Sequence, residues 1–294
     1  MSVAPEPPPR DAGAAIGANQ LETEGAEGTG GAGGAGVALG EDLLELAVSL
    51  ARDSGALLLE RFEGGRERAL ASKSTPTDLV SEADLASERL IRETLARRRP
   101  ADGILGEEEG GAQGTSGLTW IVDPLDGTVN FLFSIPQWCV SVAVADADGS
   151  LAGAIFDPCR NELFRATREG VALLNGEPLA PSKRADLASA MVATGFAYDA
   201  TVRAAQAEVF ARLVPRVRDI RRFGSAALDL AWTAAGRYDA YFERTVKPWD
   251  IAAGTLVCER AGLVVRELPE REGLPPGVLA AVPALAGSLY ELVG

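Results

Sequence analysis

The 294 residues include no histidine, and 42 acidic side chains against 28 basic ones give a net charge of −14 at pH 7. The missing histidine excludes His-dependent catalytic triads, phosphohistidine intermediates and the usual His-ligated zinc and iron sites. The negative charge disfavours binding to nucleic acid or to an anionic membrane. Any catalysis must therefore use carboxylates, hydroxyls, cysteine, lysine or metal ions that prefer oxygen ligands.

Residues 1–40 combine proline, scattered acids and a Gly/Ala-rich tract. They can bury too little apolar surface to offset the entropy of an ordered chain, so we expect a disordered arm there. No apolar run reaches the roughly 20 residues of a membrane helix, and the first residues lack the pattern of a secretory signal. We expect a cytoplasmic protein whose three cysteines are reduced.

Helical periodicity begins at Glu41 and predicts a first helix that ends near Gly64, with leucines 43, 46, 50 and 57 on its apolar stripe. A second helix is predicted over 78–99. Short β-like runs follow between 103 and 166, and the sequence ADADGS predicts a hairpin between two of them.

Strands and helices alternate after a turn-rich stretch near residue 180. The helices of this part are predicted over 202–213, 225–235 and 248–261, the last closed by Gly262. The pattern predicts an α/β unit over 41–294, made of two fused halves at about 41–183 and 184–294.

The segment WIVDPLDGTVNF, residues 120–131, places two acids directly after a predicted buried strand. We expect Asp123 to end the strand and Pro124 to stop its ladder, because proline has no N–H to donate. Asp126 then follows on the turn. Gly127 leaves room for an approach to the backbone, and Thr128 begins a short helix whose N–H groups favour an anion. One turn could thus hold a cation and the phosphate that it neutralises, although Asp-Gly alone is more often an ordinary turn.

This segment resembles the first motif of the inositol monophosphatase family, Asp-Pro-hydrophobic-Asp-Gly-Thr followed by Asn-Phe. Three further patterns of the family occur in the family's order: KSTPTDLVSEAD at 73–84, Gly-Glu-Glu at 106–108 and Trp-Asp at 249–250. Each acid alone would be an ordinary surface or helix-capping charge. Their joint occurrence carries the resemblance, which covers about 41–294.

The resemblance implies a layered α-β-α-β-α sandwich and a site for two or three Mg²⁺ ions. The ligands that it implies are Glu107, Asp123, the backbone carbonyl of Leu125, Asp126 and Asp250. Acid oxygens without histidine suit magnesium, which prefers oxygen ligands. The resemblance further implies that Asp84 and Thr128 orient a water for in-line attack on phosphorus, with Glu107 beside that water and no covalent enzyme intermediate.

The resemblance also implies the substrate contacts. The backbone N–H groups of Gly127 and Thr128 would meet the phosphate, and the other expected contacts are Gly224, Ser225, Ala226 and Glu243. Glu243 lies seven residues before Asp250, and its carboxylate could accept hydrogen bonds from two ring hydroxyls of a polyol. One position departs from the pattern, since Phe133 stands where family members often have histidine.

Inositol 1-phosphate is the substrate that the motifs favour, with fructose 1,6-bisphosphate and histidinol phosphate as alternatives on the same scaffold. A catalytically silent scaffold is the alternative of a different class, and loss of a ligand acid would indicate it; none is lost. By resemblance we expect a homodimer and inhibition by Li⁺. The expected partner is a small phosphorylated polyol. We do not expect binding to nucleic acid or to a membrane.

Overall fold

The first helix begins earlier than its periodicity predicts. The structure, a computed structural model, describes residues 32–64, 69–72 and 79–294. Helix α1 spans Ala32–Gly64, so residues 32–40, predicted as part of a disordered arm, are helical. Extending a helix from a packed stretch costs less than starting one, which explains the added turns despite their glycines. Residues 1–31 of the predicted arm lie outside the described residues.

Helix α2, Glu82–Arg98, follows a short antiparallel pair of strands, β1 at Ala69–Ser72 and β2 at Leu79–Ser81. The prediction placed the start of this helix at residue 78. The helix starts later because Ser81 is its N-cap: the serine hydroxyl accepts the N–H groups of Ala83 and Asp84. Residues 73–78 of the predicted KSTPTDLV motif lie outside the described residues.

The larger sheet has eight strands in the order β10-β9-β8-β7-β6-β5-β3-β4. Their bounds are β3 Gly103–Gly106, β4 Gly110–Ala112, β5 Thr119–Asp126, β6 Cys139–Asp146, β7 Gly149–Asp157, β8 Glu162–Thr167, β9 Leu173–Leu174 and β10 Glu177–Pro178. Only β3 and β5 pair in parallel; the other pairs are antiparallel. The predicted hairpin joins β6 to β7, with Asp146 opposite Gly149. Helix α3, Thr128–Leu132, follows β5.

Strand β5 does not stop at Pro124, and that expectation was wrong. The ladder with β6 is regular as far as Asp123 opposite Ser141, shifts its register, and resumes at Asp126 opposite Cys139. Proline lacks a donor, but an irregular position in the ladder needs none. The two acids therefore lie on one continuous strand and are separated by a bulge.

The smaller sheet has five strands in the order β12-β11-β13-β15-β14. Its elements are β11 Met191–Thr194, α4 Ala200–Leu213, β12 Asp219–Arg221, α5 Ala226–Ala234, β13 Ala240–Arg244, α6 Pro248–Ala261, β14 Val264–Leu268, β15 Gly277–Ala281 and α7 Pro283–Val293. Two short 3₁₀ turns occur at Leu187–Ser189 and Val214–Arg216. Helix α6 has the bounds that its sequence predicts, with Pro248 at its first turn and Gly262 after its last.

The sheets and helices form five layers. Helices α1 and α2 cover one face of the larger sheet, α5 and α6 lie between the two sheets, and α4 and α7 lie on the far face of the smaller sheet. This confirms the α-β-α-β-α sandwich. One apolar core joins α1 and α2 to the larger sheet, and a second surrounds α5, α6 and the smaller sheet.

Across the ranges that the structure describes, we find no helix that combines the length and the apolar character needed to cross a membrane.

Candidate functional site

The twelve residues predicted for the site all lie in described parts of the chain, and hydrogen bonds or electrostatic interactions link most of them directly. They come from the start of α2, the loop after β3, the end of β5, the start of α3, and the first turns of α5 and α6 together with β13. The acids converge from both halves of the chain onto the region between the carboxyl end of β5 and the N-termini of α5 and α6.

Asp84 and Thr128 form a direct pair. The Thr128 hydroxyl donates to Asp84 Oδ1 at 2.8 Å, and the carbonyl of Leu125 is a second, longer acceptor at 3.2 Å. Asp84 is fully buried, and its other oxygen accepts the backbone N–H of Ser81 at 2.9 Å. The capping box at the start of α2 therefore fixes the carboxylate, and the carboxylate fixes the orientation of the hydroxyl.

Asp123 lies beside Glu107. The Glu107 and Asp123 side chains are within hydrogen-bonding distance, and Asp123 Oδ1 also accepts the N–H of Leu125 at 3.0 Å. Burial raises the pKa of Asp123 well above its usual range, and repulsion from Glu107 and Asp126 adds to the shift. Two carboxyl groups this close favour sharing a proton or binding a cation.

Asp126 is held by the N-terminus of α5. Its carboxylate accepts the Ser225 hydroxyl at 2.7 Å and the N–H groups of Ala226 at 3.3 Å and Ala227 at 2.7 Å. Burial raises the pKa of Asp126 to about 6, although the bonds from Ser225 and Ala227 lower it. The structure thus engages the Ser225 hydroxyl and the Ala226 N–H with Asp126, and their contact with substrate stays a prediction.

Asp250 lies in the first turn of α6, where its Oδ2 accepts the N–H of Lys247 at 2.5 Å. Burial raises the pKa of Asp250 well above its usual range, and repulsion from Asp126 adds to this. A helix N-terminus favours a negative charge by a fraction of a kcal/mol to about 1 kcal/mol. The raised pKa shows that burial and repulsion outweigh this effect and the hydrogen bond from Lys247.

The donor set, which has carboxylates and no histidine, suits an ion that prefers oxygen ligands, such as Mg²⁺. Among the described residues, no group of three or more His, Cys, Asp or Glu side chains is already arranged around one point as the ligands of an ion. Two of the carboxylates are instead bound by backbone N–H groups, Asp126 at the start of α5 and Asp250 at the start of α6. Mg²⁺ commonly takes one or two carboxylates and keeps several waters, so it does not require a closed protein shell. Buried acids that repel one another and offer only oxygen provide the donors that such an ion needs.

Glu243 borders the same region from β13. Tyr241 donates its hydroxyl to Glu243 Oε2 at 2.9 Å. Burial raises the pKa of Glu243 to about 7, while the bond from Tyr241 and the charge of Arg222 oppose the rise. With one oxygen engaged by Tyr241, the other can accept a hydrogen bond from a ligand hydroxyl.

The turn at Gly127 requires glycine. Its φ is +101°, and a Cβ at this position would lie 2.9 Å from the carbonyl oxygen of Gln137. Phe131 donates to the Gly127 carbonyl and closes the first turn of α3. The N–H groups at a helix start have no acceptor within the helix, which leaves those of Thr128 and the next residue oriented outward from the turn.

Gly224 is tied to this turn through Asn130. The Asn130 side-chain amide donates to the carbonyls of Gln137 at 2.7 Å, Phe223 at 2.6 Å and, more weakly, Gly224 at 3.4 Å. The sequence analysis did not select Asn130. The asparagine of the DGTVNF motif was the signal in the sequence that could have identified it. Its bridge between the two halves of the chain can be seen only in the structure.

Two residues at the start of α2 that position the site were also not predicted. Ser81 caps the helix and fixes Asp84, and Ser87 donates to the Pro124 carbonyl at 2.8 Å. The pattern Ser-x-x-Asp at 81–84 is a capping-box signature and could have identified Ser81.

This five-layer α/β sandwich, with acids gathered at the carboxyl end of β5, is the sandwich fold of solved SuhB and inositol monophosphatase structures. The model of the inositol monophosphatase family matches residues 40–293, nearly the whole described chain. The chain belongs to the inositol monophosphatase family.

Individual relatives agree with this membership. An inositol-1-monophosphatase of Mycobacterium leprae is 47% identical over 273 residues, which cover 85% of this chain and 92% of the relative. A protein of Escherichia coli named Nus factor SuhB is 40% identical over 227 residues, covering 76% and 85%. The crystal structure of the suppressor protein SuhB of Bartonella henselae superposes with a TM-score of 0.79 at 32% identity, covering 86% of this chain and 98% of that one.

Proposed function

We propose that this chain is a Mg²⁺-dependent phosphomonoesterase of small polyol phosphates, with inositol 1-phosphate as its first candidate substrate. The observation that carries the proposal is the buried Asp84–Thr128 pair at 2.8 Å, in the same region as a cluster of acids that repel one another. The relative from M. leprae is named inositol-1-monophosphatase, which favours this substrate.

Glu107, Asp123, Asp126, Asp250 and the Leu125 carbonyl are the proposed metal ligands, for two or three ions. When bound, Mg²⁺ would activate water and neutralise charge on the phosphate. Thr128 and Asp84 would hold the attacking water, because the buried carboxylate can accept a proton that the threonine hydroxyl relays. The N–H groups of Gly127 and Thr128 would bind phosphate oxygens, and Glu243 would accept hydroxyls of the polyol.

Fructose 1,6-bisphosphate and histidinol phosphate are the alternative substrates. In each of the three candidates the phosphomonoester lies close to a carbon that bears a hydroxyl or an amino group. The same acids would therefore serve each substrate. The lining around Glu243 and Gly224 would decide among them.

A non-catalytic binding role is the candidate of a different class. The relative from E. coli named Nus factor SuhB favours it. Retention of each predicted ligand acid, and of the Asp84–Thr128 hydrogen bond, favours catalysis. The two roles are compatible on one fold, and an assay of phosphate release decides whether catalysis is present.

We also propose that the chain forms a homodimer. Phe133, Ile135 and Phe223 are exposed by 69%, 48% and 40%. Asn130 joins the backbone segments of the last two, since its carbonyl accepts the Ile135 N–H and its side chain donates to the Phe223 carbonyl. Large exposed apolar side chains favour association. A second copy of the chain would cover Phe133, and sedimentation of a monomer at micromolar concentration would contradict the proposal.

The test is phosphate release, with Mg²⁺, from inositol 1-phosphate, fructose 1,6-bisphosphate, histidinol phosphate and 3′-phosphoadenosine 5′-phosphate. We expect release from inositol 1-phosphate, reduced by at least about 100-fold in Asp123→Asn because the amide binds Mg²⁺ poorly. Asp123→Asn should fold as well as the parent, since it removes a buried and repelled charge.

Asp148→Asn is the matched control, because Asp148 is an exposed acid in the β6–β7 hairpin. It should retain full activity. Full activity in Asp123→Asn, or no release from any of the four compounds, would refute the proposed function.

A further inference from the structure

A fully buried acid outside the predicted site lies on the same face of α2 as Asp84. Glu88 follows Asp84 by four residues, which places both side chains on one face of the helix, and none of Glu88 is exposed. Burying a carboxylate is costly unless hydrogen bonds or a cation compensate it. The partners of Glu88 therefore show what the structure gains from it.

The Glu88 carboxylate binds the loop that carries Glu107. Its Oε2 accepts the N–H of Glu108 at 2.7 Å, and its Oε1 accepts the N–H of Glu109 at 3.0 Å. These two N–H groups directly follow Glu107 in the chain. The N–H of Glu107 itself donates to the Val122 carbonyl of β5 at 3.2 Å. Three consecutive N–H groups are thus fixed, one by a strand and two by Glu88.

Arg92, one turn further along α2, completes this anchor. It donates to Glu88 Oε1 at 2.7 Å and to the carbonyl of Gly110 at 2.5 Å. The guanidinium neutralises the buried acid and fixes the far end of the same loop. Glu88 and Arg92 together bind the backbone from residue 108 to residue 110.

Gly106 makes this close approach possible. A Cβ at this position would lie 2.3 Å from Glu88 Oε1 and 2.9 Å from a nitrogen of Arg92, so a larger residue would push the anchor away. The Gly-Glu-Glu motif therefore has a physical explanation. Its first residue, Gly106, leaves space for Glu88, and its second, Glu107, lies on the loop that Glu88 and Arg92 bind.

We propose that Glu88 is a positioning residue for Glu107 and sets the affinity of the site for Mg²⁺. The inference rests on the proposed function in assigning Glu107 as a metal ligand. Groups that orient metal ligands commonly change metal affinity by 10–100-fold when they are lost. Removing Glu88 would leave the part-buried N–H groups of Glu108 and Glu109 without this acceptor and Arg92 without its buried ion-pair partner, so the loop and Glu107 would move.

The experiment is a calorimetric titration of Mg²⁺ alone into the metal-free full chain. We expect the dissociation constant to rise about tenfold in Glu88→Gln and further in Glu88→Leu, which retains no acceptor. Glu93→Gln is the matched control, because it removes an acid from the same helix at an exposed position that lies outside the anchor; its affinity should equal that of the parent.

Kinetics provide a second measurement. In Glu88→Gln the Mg²⁺ concentration for half-maximal phosphate release should rise about tenfold, while KM for inositol 1-phosphate at saturating Mg²⁺ stays within about threefold. If Glu88→Leu fails to fold, the Glu88→Gln comparison still decides the question.

Suppose that the parent chain binds Mg²⁺ and that Glu88→Gln melts earlier but binds Mg²⁺ equally well. Glu88 would then be merely structural, and this inference would be overturned while the proposed function stands. A parent chain that takes up no Mg²⁺ would overturn the proposed function and this inference together.

Discussion

The two halves of the chain supply the site from different kinds of backbone. Residues up to β10 contribute acids from a strand end, a loop and the capping box of α2, and local hydrogen bonds fix Asp84 and Asp123. Residues from β11 onward contribute mainly helix N-termini: α5 donates to Asp126, and α6 presents Asp250 in its first turn. The first half thus concentrates negative charge, and the second half partly compensates it.

Substitutions in the two halves should therefore affect activity in different ways. Changes in the first half should alter the reacting groups and therefore turnover. Changes at Glu243, on β13 of the second half, should alter the recognition of the alcohol part of the substrate.

The largest effect is expected at Asp84. Asp84→Asn removes the proton acceptor of Thr128 while keeping its size, so kcat should fall about 100-fold, in the range for loss of a general base. The Mg²⁺ concentration for half-maximal activity should stay within about threefold of the parent's.

Glu93→Gln, at an exposed position of the same helix, is the control and should retain full turnover. A larger loss of metal affinity than of turnover in Asp84→Asn would reject the role of Asp84 in orienting water and would remove the contrast between the halves.

A smaller and different effect is expected at Glu243. Glu243→Gln keeps the acceptor for Tyr241 but loses the charge, so KM for inositol 1-phosphate should rise about tenfold with kcat little changed. The discriminating substrate is p-nitrophenyl phosphate, which has no ring hydroxyls. Its KM should not change, and an equal rise for both substrates would show that Glu243 does not recognise hydroxyls.

The smallest effect is a dependence of thermal stability on pH. Because the pKa of Asp126 is raised to about 6 and that of Glu243 to about 7, the folded chain holds protons on these acids at a pH where the unfolded chain has lost them. Their contribution to the free energy of unfolding therefore falls as pH rises from about 4 to about 7. Bound Mg²⁺ would favour the ionised acids and offset this loss.

We expect Mg²⁺ to raise the melting temperature by a few degrees more at pH 8 than at pH 5.5, a difference of about 1 kcal/mol or more. Calorimetric or fluorescence melts with and without Mg²⁺ measure it. An equal or larger gain at pH 5.5 would show that these acids do not take up the ion.

The sequence predicts the layers well because their signals are strong. Helix α6 has proline and glycine at its ends, and α2 has a capping box and paired apolar positions, so both are predicted within a few residues. Pro124 is the instructive failure. The residue type excludes a regular ladder position, but it cannot show that a bulge lets the strand continue to Asp126.

The site was predicted as a set of residues and not as a set of contacts. The resemblance to the family's motifs selects Asp84, Asp126 and Asp250, and the structure brings them into one region. Ser225 has a contact that the sequence did not predict, since its hydroxyl donates to Asp126 across 99 residues of sequence. No local pattern encodes such a bond, because it depends on how α5 packs beside the larger sheet.

The bonds from α5 to Asp126 have a consequence for the order of folding. They join positions 99 to 101 residues apart, and contacts at such separations form only after a large loop has closed. The acid cluster is therefore incomplete in any partly folded chain that lacks the second half. A cation that needs the complete cluster would bind the native state and not the folding transition state. It would slow unfolding while leaving the rate of folding almost unchanged.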